Sequence, residues 1–88
     1  MEIQLKKSKY KNLENKIKEL FAAILNIPLN RISDNLSPDQ VEEWDSLNHL
    51  NLISAYEEEF SIEIEPEEII EMNKDYKTFR SIILKKIN

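Results

Sequence analysis

The chain of 88 residues contains neither cysteine nor glycine. Without cysteine there is no disulfide, thiolate nucleophile or thiolate zinc ligand, so any thiol chemistry must come from an added group. Without glycine, Gly-rich phosphate loops and tight glycine-dependent hairpins are disfavoured. The longest apolar run, Leu20 to Leu25, is far too short to cross a bilayer, and no signal-peptide apolar region follows the charged N-terminus. We therefore expect a cytoplasmic protein without membrane insertion, forming one domain over residues 1–88 with its core from about residue 8.

Positive charge is missing from the whole middle of the chain. No lysine or arginine stands between Ile32 and Asn73, whereas thirteen acidic residues do. The net charge of −5 therefore combines a middle of −13 with two ends that total +8. A field of this kind repels nucleic acid and anionic membranes and favours proteins with basic patches. Taken alone, the acidic middle is equally compatible with a solvated surface that binds nothing.

The spacing of apolar residues predicts helices and no convincing strand. A first helix is expected from about Ser8 to Asn26, with Pro28 marking its exit. A second should cover Ser46–Phe60, and a short third should begin at Pro66 and end near Met72. Asp75 is suited to cap a last helix. The predicted fold is an all-α four-helix bundle with a long first loop and a short third helix.

Several side chains are expected to pack this bundle together. Residues 28 to 44 form the long loop, which we expect to be pinned to the core by Leu29, Ile32, Leu36 and Val41. Trp44 is expected to anchor the end of the loop, the alternative being a surface tryptophan beside Ser46 that acts in recognition. His49 is expected to be a half-buried packing residue rather than a metal ligand. The second helix is expected to bury a broad apolar stripe made of Leu47, Leu50, Leu52, Ile53, Tyr56 and Phe60.

The most informative segment is Trp44-Asp45-Ser46-Leu47, which places a hydroxyl where a proline-containing loop passes into the second helix. The first backbone N–H groups of a helix lack intrahelical partners and the helix dipole is positive there, so a phosphate attached to Ser46 would lie in a favourable field. Asp45 is a plausible N-cap. Asp45, Ser46 and His49 include the residue types of a hydrolase triad. Because no glycine-flanked nucleophile elbow or evident oxyanion hole accompanies them, we do not expect an enzyme.

From Asp45 to Phe60, and on through Ile62-Glu63-Ile64, the chain resembles the acyl carrier proteins. In that family the serine of an Asp-Ser-Leu motif opens the second helix of the bundle and bears 4′-phosphopantetheine, whose thiol holds acyl groups as thioesters. The resemblance implies that a phosphopantetheinyl transferase transfers this arm from coenzyme A to Ser46 and that Asp45 helps to engage the transferase and its magnesium ion. It also implies that Leu47 contacts partners, namely acyl-loading and acyl-using enzymes with basic docking patches, and that the carrier is a monomer.

The chain departs from the commonest family pattern just after the serine. Fatty-acid carriers often have acids at the second and fifth following positions, which are Asn48 and Asn51 here. We assign Asn48 and Asn51 to partner recognition because they can offer hydrogen bonds, but they carry no charge. We therefore expect the electrostatic part of recognition to depend more on Glu57 and Glu58, late in the second helix. The segment from Trp44 to Leu52 looks more like specialised carriers, including some of surface-polysaccharide pathways. These residues do not specify the pathway, so fatty-acid, polyketide and surface-polysaccharide biosynthesis all stay open. An aminoacyl or peptidyl carrier of a nonribosomal pathway is the near alternative. A small acidic interaction or inhibitor protein, which would give Ser46 no task, is the distant one.

Overall fold

The computed structural model describes the backbone of residues 2–87 and the side chains of residues 11–87. Its four α-helices are α1 (Glu2–Leu25), α2 (Ser46–Phe60), α3 (Pro66–Met72) and α4 (Tyr76–Ile87), and residues 2–87 contain no strand. The predicted four-helix bundle with a long first loop and a short third helix is confirmed. Within the described residues, no helix is both long enough and apolar enough to cross a membrane.

The first helix differs most from its prediction, because it begins at Glu2 instead of Ser8 and ends at Leu25 instead of Asn26. The segment from residue 2 to residue 7 consists mainly of strong helix formers and contains no helix breaker, so propensity extends the helix beyond the apolar stripe. Its end is set by Asn26, whose φ of 55° is left-handed. The Ile27 amide donates to the carbonyl of Ala22 over 3.0 Å, which completes a Schellman-type cap without glycine.

The end of α2 is built in the same way. Ser61 has a φ of 53°, and the Ile62 amide donates to the carbonyl of Glu57 over 3.2 Å. Asparagine and serine thus take the left-handed positions where many helices have glycine. Both helices therefore end in left-handed caps although the chain contains no glycine.

The long first loop is ordered by two 3-10 turns, Leu29–Arg31 and Pro38–Gln40. Ile32, Leu36 and Val41 are buried as predicted, but Leu29 is 45% exposed, so its predicted role as a pin is wrong. The reason is that Leu29 opens a 3-10 turn that has no buried residue. The loop is also fastened to α4, since the amides of Tyr76 and Lys77 donate to the carbonyls of Leu36 and Asp34 over 2.8 and 3.1 Å. These bonds satisfy first-turn donors of α4 that no intrahelical acceptor could reach.

An aromatic cluster in the core fixes the end of this loop. The ring of Phe21 makes edge-to-face contacts with Trp44, Tyr76 and Phe79, with centroids 5.0, 5.0 and 5.2 Å away. Such contacts add to the burial energy of the rings and favour one relative orientation. Trp44 is buried, which confirms its predicted role as an anchor. The loop residue two positions before Ser46 is therefore held between α1 and α4.

The buried face of α2 is narrower than predicted. His49, Leu52, Ile53 and Tyr56 are buried and follow the i, i+3, i+4, i+7 spacing of one helix face. Leu47 and Leu50, which we placed in the apolar stripe, are 69% and 56% exposed. They fall outside that spacing, so the turn of the helix directs them away from the core. Near the middle of α2, the Tyr56 hydroxyl donates to the carbonyl of Ile17 and joins α2 to α1.

Candidate functional site

Ser46 is the first residue of α2, and its side chain is exposed. Asp45 is the N-cap in extended conformation, and its Oδ1 accepts a hydrogen bond from the Asn48 amide over 2.8 Å. This confirms the predicted cap. The amides of Ser46 and Leu47 remain as first-turn donors beyond the reach of any intrahelical acceptor. The Ser46 hydroxyl therefore lies at the positive end of a 15-residue helix, where an attached phosphate is stabilised.

The loop just before Ser46 is held against the first turns of α2 by two asparagines. Asn48 Nδ2 donates to the carbonyl of Glu43 over 2.8 Å, and Asn51 Nδ2 donates to Asn48 Oδ1 over 3.1 Å. We call this pair of hydrogen bonds the asparagine clamp. Asn48 is half-buried and Asn51 is exposed. Sequence reasoning assigned both residues to partner recognition and missed this structural role, although an amide three residues after an N-cap is well placed to reach the preceding loop.

His49 connects the same loop to α3. Trp44 Nε1 donates to His49 Nδ1 over 3.0 Å, and His49 Nε2 lies 2.7 Å from the carbonyl oxygen of Ile69. Because an indole N–H can only donate and a carbonyl can only accept, this geometry requires the neutral imidazole with its proton on Nε2. We call this arrangement the Trp-His strut. His49 is 5% exposed, so the predicted packing role is confirmed but burial is deeper than expected. The prediction did not consider that both ring nitrogens of a buried imidazole need hydrogen-bond partners.

The Trp-His strut is also incompatible with a catalytic triad of Asp45, His49 and Ser46. Both ring nitrogens of His49 are engaged inside the bundle, and Asp45 is engaged as the cap of α2. Neither group is therefore available to take the proton of Ser46. The arrangement fits a hydroxyl that another protein modifies, and it does not fit a self-activated nucleophile.

Three large apolar side chains on α2 and α3 are exposed, and two of them follow Ser46 on α2. Leu47 and Leu50 are three residues apart on α2, so their side chains are neighbours on its surface. On α3, Ile70 is 76% exposed. Ile70 was not predicted as a surface residue. Its exposure could have been predicted from its position beside Ile69, since a short helix packed on one side buries only one of two adjacent apolar residues.

The acids late in α2 differ in their surroundings. Glu57 is half-buried, and its Oε2 accepts a hydrogen bond from the Ile64 amide over 2.9 Å, which fastens the loop between α2 and α3. Glu59 Oε2 lies 3.3 Å from Lys16 Nζ in an exposed ion pair with α1. Glu58 is exposed. Of the two glutamates expected to attract partners, Glu57 thus has a structural hydrogen bond and Glu58 faces solvent.

Comparison with known proteins agrees with this geometry. A family model described as "Phosphopantetheine attachment site" matches residues 15–83. An acyl carrier protein of Buchnera aphidicola subsp. Schizaphis graminum is 42% identical over 67 residues, which covers 76% of this chain and 85% of the relative. The bundle and the matched segment define a phosphopantetheine-binding domain. The chain belongs to the acyl carrier protein family. Its cofactor is covalently attached 4′-phosphopantetheine, and members of this family are carriers and not catalysts.

Proposed function

We propose that this chain is an acyl carrier whose 4′-phosphopantetheine arm is attached to Ser46 Oγ. The observation that carries the proposal is the exposed Ser46 side chain at the first position of α2, with its neighbour Asp45 fixed as the cap. An ester phosphate at this oxygen lies beside the free first-turn amides. When bound, the arm supplies a thiol that holds acyl groups as thioesters.

The role of the chain in loading is to present one oxygen in a fixed place. Ser46 Oγ attacks the phosphorus next to the pantetheine in coenzyme A, adenosine 3′,5′-bisphosphate leaves, and the serine proton is lost. Because His49 is engaged in the strut, the base for this step must come from the transferase. The asparagine clamp holds the loop at Glu43 and the strut holds it at Trp44, so the transferase meets an ordered serine.

The partner surface that we propose surrounds Ser46 on the outside of α2. Leu47 and Leu50 supply exposed apolar contact, and Glu58 supplies charge for a basic patch on the partner. Asp45, Asn48, Asn51 and Glu57 border this surface while also making internal hydrogen bonds. Burial of Leu47 and Leu50 against a partner contributes contact energy in proportion to their apolar area, whereas exposed charges mainly raise the association rate.

The proposal includes a monomeric, non-catalytic protein in the cytoplasm, served by a coenzyme A-dependent transferase and then by acyl-loading and acyl-using enzymes. A carrier of aminoacyl or peptidyl groups would use the same arm at the same serine. A small acidic inhibitor would need neither the arm nor an exposed serine at the start of α2. The family membership therefore favours the carrier over the inhibitor.

The test is site-specific labelling with coenzyme A and a broad-specificity phosphopantetheinyl transferase, followed by intact mass spectrometry. Wild type and Ser54→Ala should each gain one phosphopantetheinyl group, and Ser46→Ala should gain none. Ser54 is the matched control because it is another exposed serine on α2. Labelling of Ser46→Ala at the wild-type rate would contradict the assignment.

A further inference from the structure

We infer that this carrier holds short or polar acyl groups outside the bundle and does not shelter an alkyl chain between α2 and α3. The inference rests on the proposed attachment of the arm to Ser46. An acyl chain on that arm has two places to go, the solvent-facing surface of α2 or the interior beneath Ser46. The structure of that interior distinguishes them.

His49 occupies the route from Ser46 to the interior on the side of α3. Ser46 and His49 are three residues apart on α2, so they adjoin along the helix. The imidazole extends from α2 to α3, where its Nε2 lies 2.7 Å from the carbonyl oxygen of Ile69. A chain that passes between α2 and α3 at this level must displace the ring or break this hydrogen bond.

The space behind the imidazole is filled with aromatic rings. The centroids of Trp44 and Phe79 lie 6.1 and 6.2 Å from that of His49, and the Tyr56 ring lies 5.0 Å from that of Phe79. Trp44, Phe79 and Tyr56 are each at most 2% exposed. Protein interiors are packed as densely as organic crystals, so an alkyl chain enters such a region only if these rings move apart.

The polar strut makes that movement unfavourable for a small cargo. Breaking it leaves the Ile69 carbonyl and a buried imidazole nitrogen without partners beside an alkyl chain, and unpaired buried polar groups are costly. The gain from burying an acyl chain grows with its apolar area, so a chain of a few carbons cannot offset this cost. Polar cargo gains even less. Outside the bundle, exposed Leu47 and Leu50 provide an apolar surface that needs no rearrangement.

The test compares acetyl, butyryl and octanoyl forms of the carrier, made from the corresponding acyl-coenzyme A thioesters with a broad-specificity transferase. Cleavage of each thioester by hydroxylamine is timed, and the NMR shift of the Trp44 indole N–H is recorded. Each rate is divided by that of the corresponding acyl-coenzyme A thioester, which corrects for the intrinsic reactivity of the acyl group. In the wild type the three corrected rates should be the same, and the indole signal should stay where it is in the unacylated carrier. Several-fold slower cleavage of the octanoyl form, together with a displaced indole signal, would overturn the inference.

His49→Ala removes the barrier and should allow the octanoyl chain to enter, so that its cleavage slows while that of the acetyl form does not. His49→Gln, which can still donate to Ile69, should behave as wild type. Equal rates for all forms in His49→Ala would contradict the role of the imidazole, and if this variant fails to fold, the wild-type comparison still decides. Intact mass separates the two proposals. Absence of loading at Ser46 refutes the attachment of the arm. Normal loading, together with an octanoyl thioester that hydroxylamine cleaves slowly, refutes only the present inference.

Discussion

Replacing Asn48 by aspartate should destabilise the loop that presents Ser46, even though acids are favourable near a helix N-terminus. Asn48 Nδ2 donates to the carbonyl of Glu43 over 2.8 Å. Asn48→Asp puts a carboxylate oxygen where this donor was, so two acceptors face each other. The new negative charge also adjoins the carboxylate of Asp45, which caps the same turn.

The structure supports an estimate of the size of this effect. Loss of the hydrogen bond costs about 0.5–1.5 kcal/mol, and because this bond is exposed, water can hydrogen-bond to the Glu43 carbonyl in its place. The favourable interaction of an acid with the helix dipole returns roughly 0.3–1 kcal/mol. The free energy of unfolding should therefore fall by up to about 1 kcal/mol, and the melting temperature by about 4–8 °C for each kcal/mol in a domain of this size.

Urea and thermal unfolding of the unmodified protein measure this change, and the matched control is Asn51→Asp. Asn51 is exposed one turn further along α2 and loses only the outer, 3.1 Å bond of the clamp. Asn51→Asp should lower the free energy of unfolding by less than Asn48→Asp does, although both variants add the same charge. The transferase should also load Asn48→Asp with a lower kcat/KM. If Asn48→Asp is as stable as the control, or more stable than wild type, the asparagine clamp does not hold the loop.

Three further predictions concern other parts of the molecule. Tyr56→Phe removes a buried hydrogen bond and should lower the free energy of unfolding in urea by about 1 kcal/mol. Tyr76→Phe removes a buried hydroxyl that has no partner among the described residues, so it should leave this free energy unchanged or raise it. The hydrogen bond from Arg80 lowers the pKa of Asp34, so its stabilising contribution is present above the unfolded pKa of about 3.9 and is lost as pH falls through the lower folded pKa. Asp34→Asn should flatten the acid limb of a stability–pH profile; an unchanged limb would contradict this. Glu58→Lys should slow association with the cognate loading enzyme at low salt but not at high salt, and an equal effect at both would exclude steering.

Local sequence patterns predicted the parts of the fold that depend on neighbouring residues. The bounds of α2, the cap at Asp45 and the start of α3 at Pro66 follow from capping preferences and spacing within one turn, and all three are confirmed. The beginning of α1 was missed because apolar spacing was weighed above helix propensity.

Interactions between distant residues could not be predicted in the same way. His49 was correctly expected to pack, but its acceptor is the carbonyl of Ile69, twenty residues away, and no local pattern specifies that contact. The exposure of Leu47 and Leu50 depends on which face of α2 meets the other helices. Glu57 looked like a surface charge because its hydrogen bond to the Ile64 amide forms only once the α2–α3 loop folds back.

The central claim is that Ser46 carries the arm, and the most direct test is peptide mapping of the protein purified from its native cell. The account predicts that the peptide containing Ser46 carries 4′-phosphopantetheine or an acylated form of it, and that no other serine does. A Ser46 peptide found only in the unmodified state, or an arm located on a different serine, would contradict it.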